Sequence, residues 1–175
     1  MTGADLSEYG ELTEPVTLRI ERTLPGPIER VWAYLTQSHL RGQWLATGDM
    51  ELRVGGKVNL TWRNDELTGH REHRPPGFDE VHHQESKVIH IDPPRHLTFG
   101  WAGGGDVTFE LEPGGDDVKL TVTHRRASER SQLLGVSAGW HTHLDVLVAR
   151  LNGRPPKPFW TSWTQLRADY DARFS

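Results

Sequence analysis

Residues 69–83 read GHREHRPPGFDEVHH and gather four of the chain's ten histidines with Glu72, Asp79 and Glu80. Imidazole and carboxylate groups bind zinc and also move protons in catalysis. The spacing counts against a metal. His70 and His73 would share a face only in a helix, yet Gly69 precedes them and Pro75 and Pro76 follow. His82 and His83 are adjacent, so a strand sends them to opposite faces. The zincin helix motif, a paired E-x-x-H set and any cysteine framework are missing. No metal and no cofactor are expected. The stretch is instead a connection longer than an ordinary hairpin turn, of the kind that is either mobile or functional.

Three further histidines and the seven tryptophans carry the remaining polar chemistry. His124 falls on the same parity as Leu120 and Val122, and Trp62 and Trp101 likewise sit on the apolar side of alternating runs. A polar group placed there needs a partner or a ligand. His141 and His143 flank Thr142, so on a helix they project about 200° apart and cannot chelate one ion together. His143 shares a face with Trp140, which makes it the better cavity residue of the two. No Gly-rich phosphate loop, G-x-S-x-G elbow or cysteine nucleophile is present. The glycines of GWAGGGD lie between two strands and read as a turn.

Bulk properties narrow the class. The net charge of -4 and the lack of a basic run argue against nucleic acid as a partner. No apolar run approaches the ~20 residues of a membrane span, and a cytoplasmic protein is expected. Residues 1–14 are polar and acidic and read as a loosely ordered leader, followed by one domain over 15–175.

The elements that must position these groups follow from periodicity. VTLRIERTL from Val16 alternates as a half-buried strand. PGPIERVWAYLTQ places Ile28, Val31, Trp32 and Leu35 at helical spacing, with Pro27 at the helix entry. SHLRGQWLA reads as a second short helix capped by Ser38. DMELRVGGKVNLTWRN predicts a hairpin turning at Gly55 and Gly56, and four more alternating runs follow the His-rich connection. A long helix is predicted over 131–152, ended by Gly153. Residues 153–175 form an extension with an extra short helix, in which Trp160, Trp163, Leu166 and Tyr170 share a face. If exposed, that stripe would allow a homodimer.

A strand, two short helices, six antiparallel strands and a long helix define an α+β protein. The order, with ERTLPGPIERVWAYLT, LRGQWLA, DMELRVGGKVNLTW, VIHIDPPRHLTFGW, VTFELEPGGDDVKLTVTHRR and GWHTHLDVLVARLNG, resembles the helix-grip fold. This is the fold of the START and birch-pollen-allergen (SRPBCC) superfamily. Within it the chain most resembles the family related to the activator of the heat-shock-protein-90 ATPase.

The resemblance implies a seven-stranded curved antiparallel sheet wrapped on the long C-terminal helix, with a cavity between them. The connection 69–83 then becomes a rim or gating loop. The inward parity gives Leu52, Val58, Leu60, Trp62, Leu97, Phe99, Trp101, Val107, Phe109, Leu111, Leu120, Val122 and His124. From these and the helices, the expected ligand contacts are Trp44, Leu60, Trp62, Phe99, Trp101, Phe109, Val122, His124, Trp140 and His143. The implied function is binding of a small hydrophobic or aromatic ligand. A cyclase or aromatase-like enzyme using His124, His143 and Glu85, and a chaperone-associated protein, are the alternatives. No catalytic residue is assigned.

Overall fold

A computed structural model describes residues 8–14, 17–126 and 129–174. The strands are β1 (Glu11–Glu14), β2 (Thr17–Pro25), β3 (Lys57–Trp62), β4 (His82–Asp92), β5 (His96–Trp101), β6 (Gly105–Gly114) and β7 (Asp117–Arg125). The helices are α1 (Ile28–Thr36), α2 (Ser38–Arg41), α3 (Arg130–Leu151) and α4 (Phe159–Arg173). The strands form one antiparallel sheet in the order β1-β2-β7-β6-β5-β4-β3, with α3 packed against it. This is the α+β helix-grip architecture.

Strand parity selects the core. In β5, β6 and β7 the residues Leu97, Phe99, Val107, Phe109, Leu111, Leu120 and Val122 alternate inward and are at most 4% exposed. Burying each removes an apolar side chain from water, worth about 1.5–3 kcal/mol before entropy is subtracted.

The predicted strand over 50–54 reduces to isolated bridges of Thr47 with Thr61 and Met50 with Val58. β3 forms its full ladder with β4, across the long connection. The chain at 51–56 coils on itself: Glu51 N donates to Lys57 O, and Gly56 N donates to Arg53 O, both at 2.9 Å. Gly55 has φ +80°, and a Cβ on Gly56 would lie 2.2 Å from Glu51 O. Leu52 therefore points outward and is 46% exposed.

The seventh strand comes from the stretch read as a leader. Residues 1–7 and 15–16, including Val16, lie outside the described residues, but Glu11–Glu14 form β1 and Gly10 N donates to Tyr170 Oη at 2.8 Å. The described part of that stretch is anchored. Ser38 does not cap α2; its Oγ accepts from Gly48 N at 2.8 Å.

The C-terminal extension folds back on its own domain. Phe159, Trp160, Trp163 and Tyr170 are all buried, so the aromatic stripe that suggested a homodimer is consumed within the chain. α3 ends as its glycine predicts, with Gly153 at φ +66° and Arg154 N donating to Ala149 O at 2.8 Å.

Candidate functional site

A cavity of about 470 Å³ opens between the sheet, α3 and α4. β3 and β5 contribute Trp62 and Trp101, and α3 contributes Gln132, Gly135, Val136, Gly139, Trp140 and His143. Phe159, Trp160 and Trp163 come from the start of α4, while residues 77–80 and His82 supply the mouth from the His-rich connection. Its predicted place at the rim agrees with this geometry.

Of the ten expected contacts, Trp62, Trp101, Trp140 and His143 line the cavity. Trp44, Leu60, Phe99, Phe109, Val122 and His124 do not. They form a closed layer beneath it, because the aromatic rings fill the deeper part of the grip. Phe109 packs edge-on to Trp140 at 5.8 Å and to Phe99 at 5.5 Å, and Trp44 lies 6.4 Å from Phe109. Parity identified the inward side but not the depth at which packing stops and open volume begins.

The buried histidines have assignable tautomers. His143 Nδ1 lies 2.8 Å from the carbonyl of Trp44, which can only accept, so Nδ1 carries the proton and Nε2 is left as an acceptor. Burial pushes the His143 pKa down to about 4, although the bond to Trp44 opposes this. Trp140 Nε1 donates to His124 Nδ1 at 3.0 Å, which fixes the opposite tautomer there. Burial also lowers His124 to about 4. His124 sits behind Trp101, with ring centroids 4.9 Å apart, and serves to hold both indoles that line the cavity.

His141 faces away from the cavity, as its angular separation from His143 requires. Its Nδ1 lies 2.9 Å from Tyr170 Oη, and its Nε2 lies 3.5 Å from Asp145. Asp145 in turn pairs with Arg22 at 3.0 Å. This network joins β2, α3, α4 and the segment before β1. Glu85, offered by the sequence as a proton-transfer partner, projects from the outer side of β4 with 76% of its side chain exposed. It lies 3.8 Å from His83 and outside the cavity.

The connection that forms the mouth is built by its own polar residues. Glu72 accepts from Trp160 N at 2.9 Å and from Thr161 N at 2.8 Å, and so caps α4. Burial resists its ionisation, but the Thr161 hydroxyl and these backbone donors outweigh it and hold the carboxyl below its usual range. Asp65 accepts from Trp160 Nε1 at 2.8 Å and pairs with Arg74, whose Nε donates to Phe78 O at 3.1 Å. Phe78 is thereby set 4.9 Å from both Trp160 and Trp163. Among the described residues no group of three or more His, Asp or Glu side chains converges as a metal site would require.

Two lining residues carry a signal in the sequence that periodicity alone passes over. Gly135 and Gly139 stand i, i+4 on one face of α3. A Cβ at Gly139 would meet nothing within 4 Å, and one at Gly135 would meet only Trp163, at 4.0 Å. Close packing therefore does not require glycine at either position. Glycines at that spacing inside a long helix could have pointed to the cavity face.

Among the described residues no helix is long and apolar enough to cross a membrane. Several solved structures share the architecture. The solution structure of the protein encoded by gene BPP1335 of Bordetella parapertussis is 37% identical, with a TM-score of 0.79, over 94% of this chain and 90% of that one. CalU16 from Micromonospora echinospora is 24% identical, with a TM-score of 0.65, over 90% of this chain and 87% of that one. EF2215 from Enterococcus faecalis, a conserved protein of unknown function, shares 17% identity at a TM-score of 0.69, over 97% of this chain and 95% of that one. No curated protein matches the chain. The family model described as Activator of Hsp90 ATPase homolog 1-like protein matches residues 25–152, from the end of β2 to the end of α3. With the seven-stranded grip, the long helix and this match, the chain belongs to the Activator of Hsp90 ATPase homolog 1-like family of the helix-grip superfamily.

Proposed function

We propose that this protein is a binding module that holds a small apolar or aromatic molecule between the sheet and α3. The observation that carries this reading is the open, aromatic-walled cavity beside Gly135 and Gly139. Its volume of about 470 Å³ falls within the roughly 300–1,000 Å³ typical of small-molecule sites. Each mid-helix glycine costs about 1 kcal/mol relative to alanine. With nothing packed against Gly139, that cost has no return in stability and is accounted for by retained space.

Five tryptophans line the cavity: Trp62, Trp101, Trp140, Trp160 and Trp163. Their emission therefore reports occupancy. Titration with a neutral naphthyl probe such as 2-naphthylmethanol is expected to quench the emission saturably, at one site per chain. A linear, unsaturated change up to the solubility limit would remove the binding reading. Of the three residues the sequence offers for an enzyme on this cavity, only His143 lines it, since His124 lies outside the lining and Glu85 on the other side of the sheet. The chaperone-associated alternative is supported by the family relationship alone.

A further inference from the structure

The charges around the cavity restrict what it can hold. Its carboxylates are Asp79 and Glu80, both exposed at the mouth, and among the described residues no lysine or arginine lines it. The nearby Arg74 is committed to Asp65 and to the carbonyl of Phe78. Deeper in, His143 donates Nδ1–H to Trp44 O, so its other nitrogen offers a lone pair. The remaining polar lining is Asn64, Gln132 and His82, so a carboxylate head at the mouth would face the like charges of Asp79 and Glu80 with no lysine or arginine beside it among the described lining residues. A cationic head at the mouth would meet two carboxylates beside Phe78, Trp160 and Trp163, whose ring faces attract cations.

We infer that the ligand is an aromatic or apolar amine, its body enclosed by the tryptophans and its protonated nitrogen held at the mouth by Asp79 and Glu80. This rests on the binding reading above and adds the sign of the ligand's charge. It separates an amine from the fatty-acid type of amphiphile, which an apolar cavity alone would accept equally well.

The test uses three probes with one body: 2-naphthylmethylamine, 2-naphthylmethanol and 2-naphthoate, titrated against the full chain near neutral pH. The ammonium is expected to bind about threefold to tenfold more tightly than the alcohol, as a partly exposed charge contact allows. The carboxylate should be the weakest of the three. The double variant Asp79→Asn, Glu80→Gln should bring the ammonium-to-alcohol ratio close to one, and added salt should shrink it in the wild type. Equal affinities for all three probes, or a ratio unchanged in the double variant, would overturn the charge assignment and leave the binding reading intact. Failure of all three to bind would overturn both.

Discussion

Acidification from about pH 7.5 to about pH 5 is expected to lower the unfolding free energy by about 4 kcal/mol through His124 and His143 alone. Both pKa values are lowered in the fold, from 6.5 to about 4. Above the unfolded value the rings are neutral in both states and stability does not depend on them. As pH falls below 6.5 the unfolded chain takes up protons that the folded chain refuses, so stability drops. The loss levels off once pH passes below the folded value of about 4. At about pH 5 each ring contributes roughly 2 kcal/mol of loss, against a typical total of about 5–15 kcal/mol.

Burial lowers His141 as well, to about 3. The Arg22 and Arg173 cations add to that shift, and because the ring joins the Arg22–Asp145 pair through Asp145 at 3.5 Å, the quantitative expectation is confined to His124 and His143. Urea unfolding across this pH range is the measurement. His124→Gln retains an acceptor for Trp140 without a titrating ring, and should be less acid-sensitive than wild type by about 2 kcal/mol at about pH 5. An identical pH dependence in the variant would contradict the assignment.

Arg41→Ala is expected to cost about 4 kcal/mol. The Arg41 side chain is fully buried, yet it forms no ion pair among the described residues. Its guanidinium donates instead to four backbone carbonyls: Ala46 O and Thr36 O at 3.1 Å, Leu35 O at 3.4 Å, and Gly48 O. Burial lowers its pKa to about 10, with Asp49 opposing, and the group remains charged at neutral pH. These bonds tie the end of α1 to the chain leading into β3, which carries Leu45 into the cavity wall.

Truncation strands the carbonyls in a dry site, at about 1–3 kcal/mol for each one left unmet. Arg41→Lys should recover only part of the loss, because an ammonium cannot reproduce the planar fork. The shift in urea midpoint at constant slope measures the effect. A loss below about 1 kcal/mol in Arg41→Ala would show that water or neighbouring donors replace the guanidinium.

Arg41 also marks where the sequence ceases to be legible. Within SHLRGQWLA a buried arginine has the same letter as an exposed one, and only the carbonyls converging from 35, 36, 46 and 48 distinguish it. Alternation located β3, β5, β6 and β7 and their inward faces, because a half-buried strand writes its environment at every second residue. The same alternation misread Leu52, where the chain coils and the side chain faces water.

Of the residues the sequence offers as ligand contacts, Trp62, Trp101, Trp140 and His143 line the cavity, as does part of the His-rich connection at its mouth. The sequence missed Phe159, Trp160 and Trp163 as cavity walls, since nothing local shows that α4 folds back beneath Glu72 and Asp65. His124 lies on the face that parity gives it but outside the cavity lining, packed against Trp101 and Trp140, which do line it.

The central claim is that the open volume beside α3 is a binding site, and Gly139→Leu tests it most directly. The substituted side chain would enter space in which the first added carbon meets nothing within 4 Å. Removing a mid-helix glycine should also favour the helix, by up to about 1 kcal/mol. Titration of 2-naphthylmethanol against wild type and Gly139→Leu, with urea unfolding of both, separates space from stability. The expected result is at least about a tenfold loss of affinity, equivalent to about 1.4 kcal/mol, with an unchanged or higher urea midpoint. A folded Gly139→Leu protein that binds the probe as tightly as wild type would contradict the account.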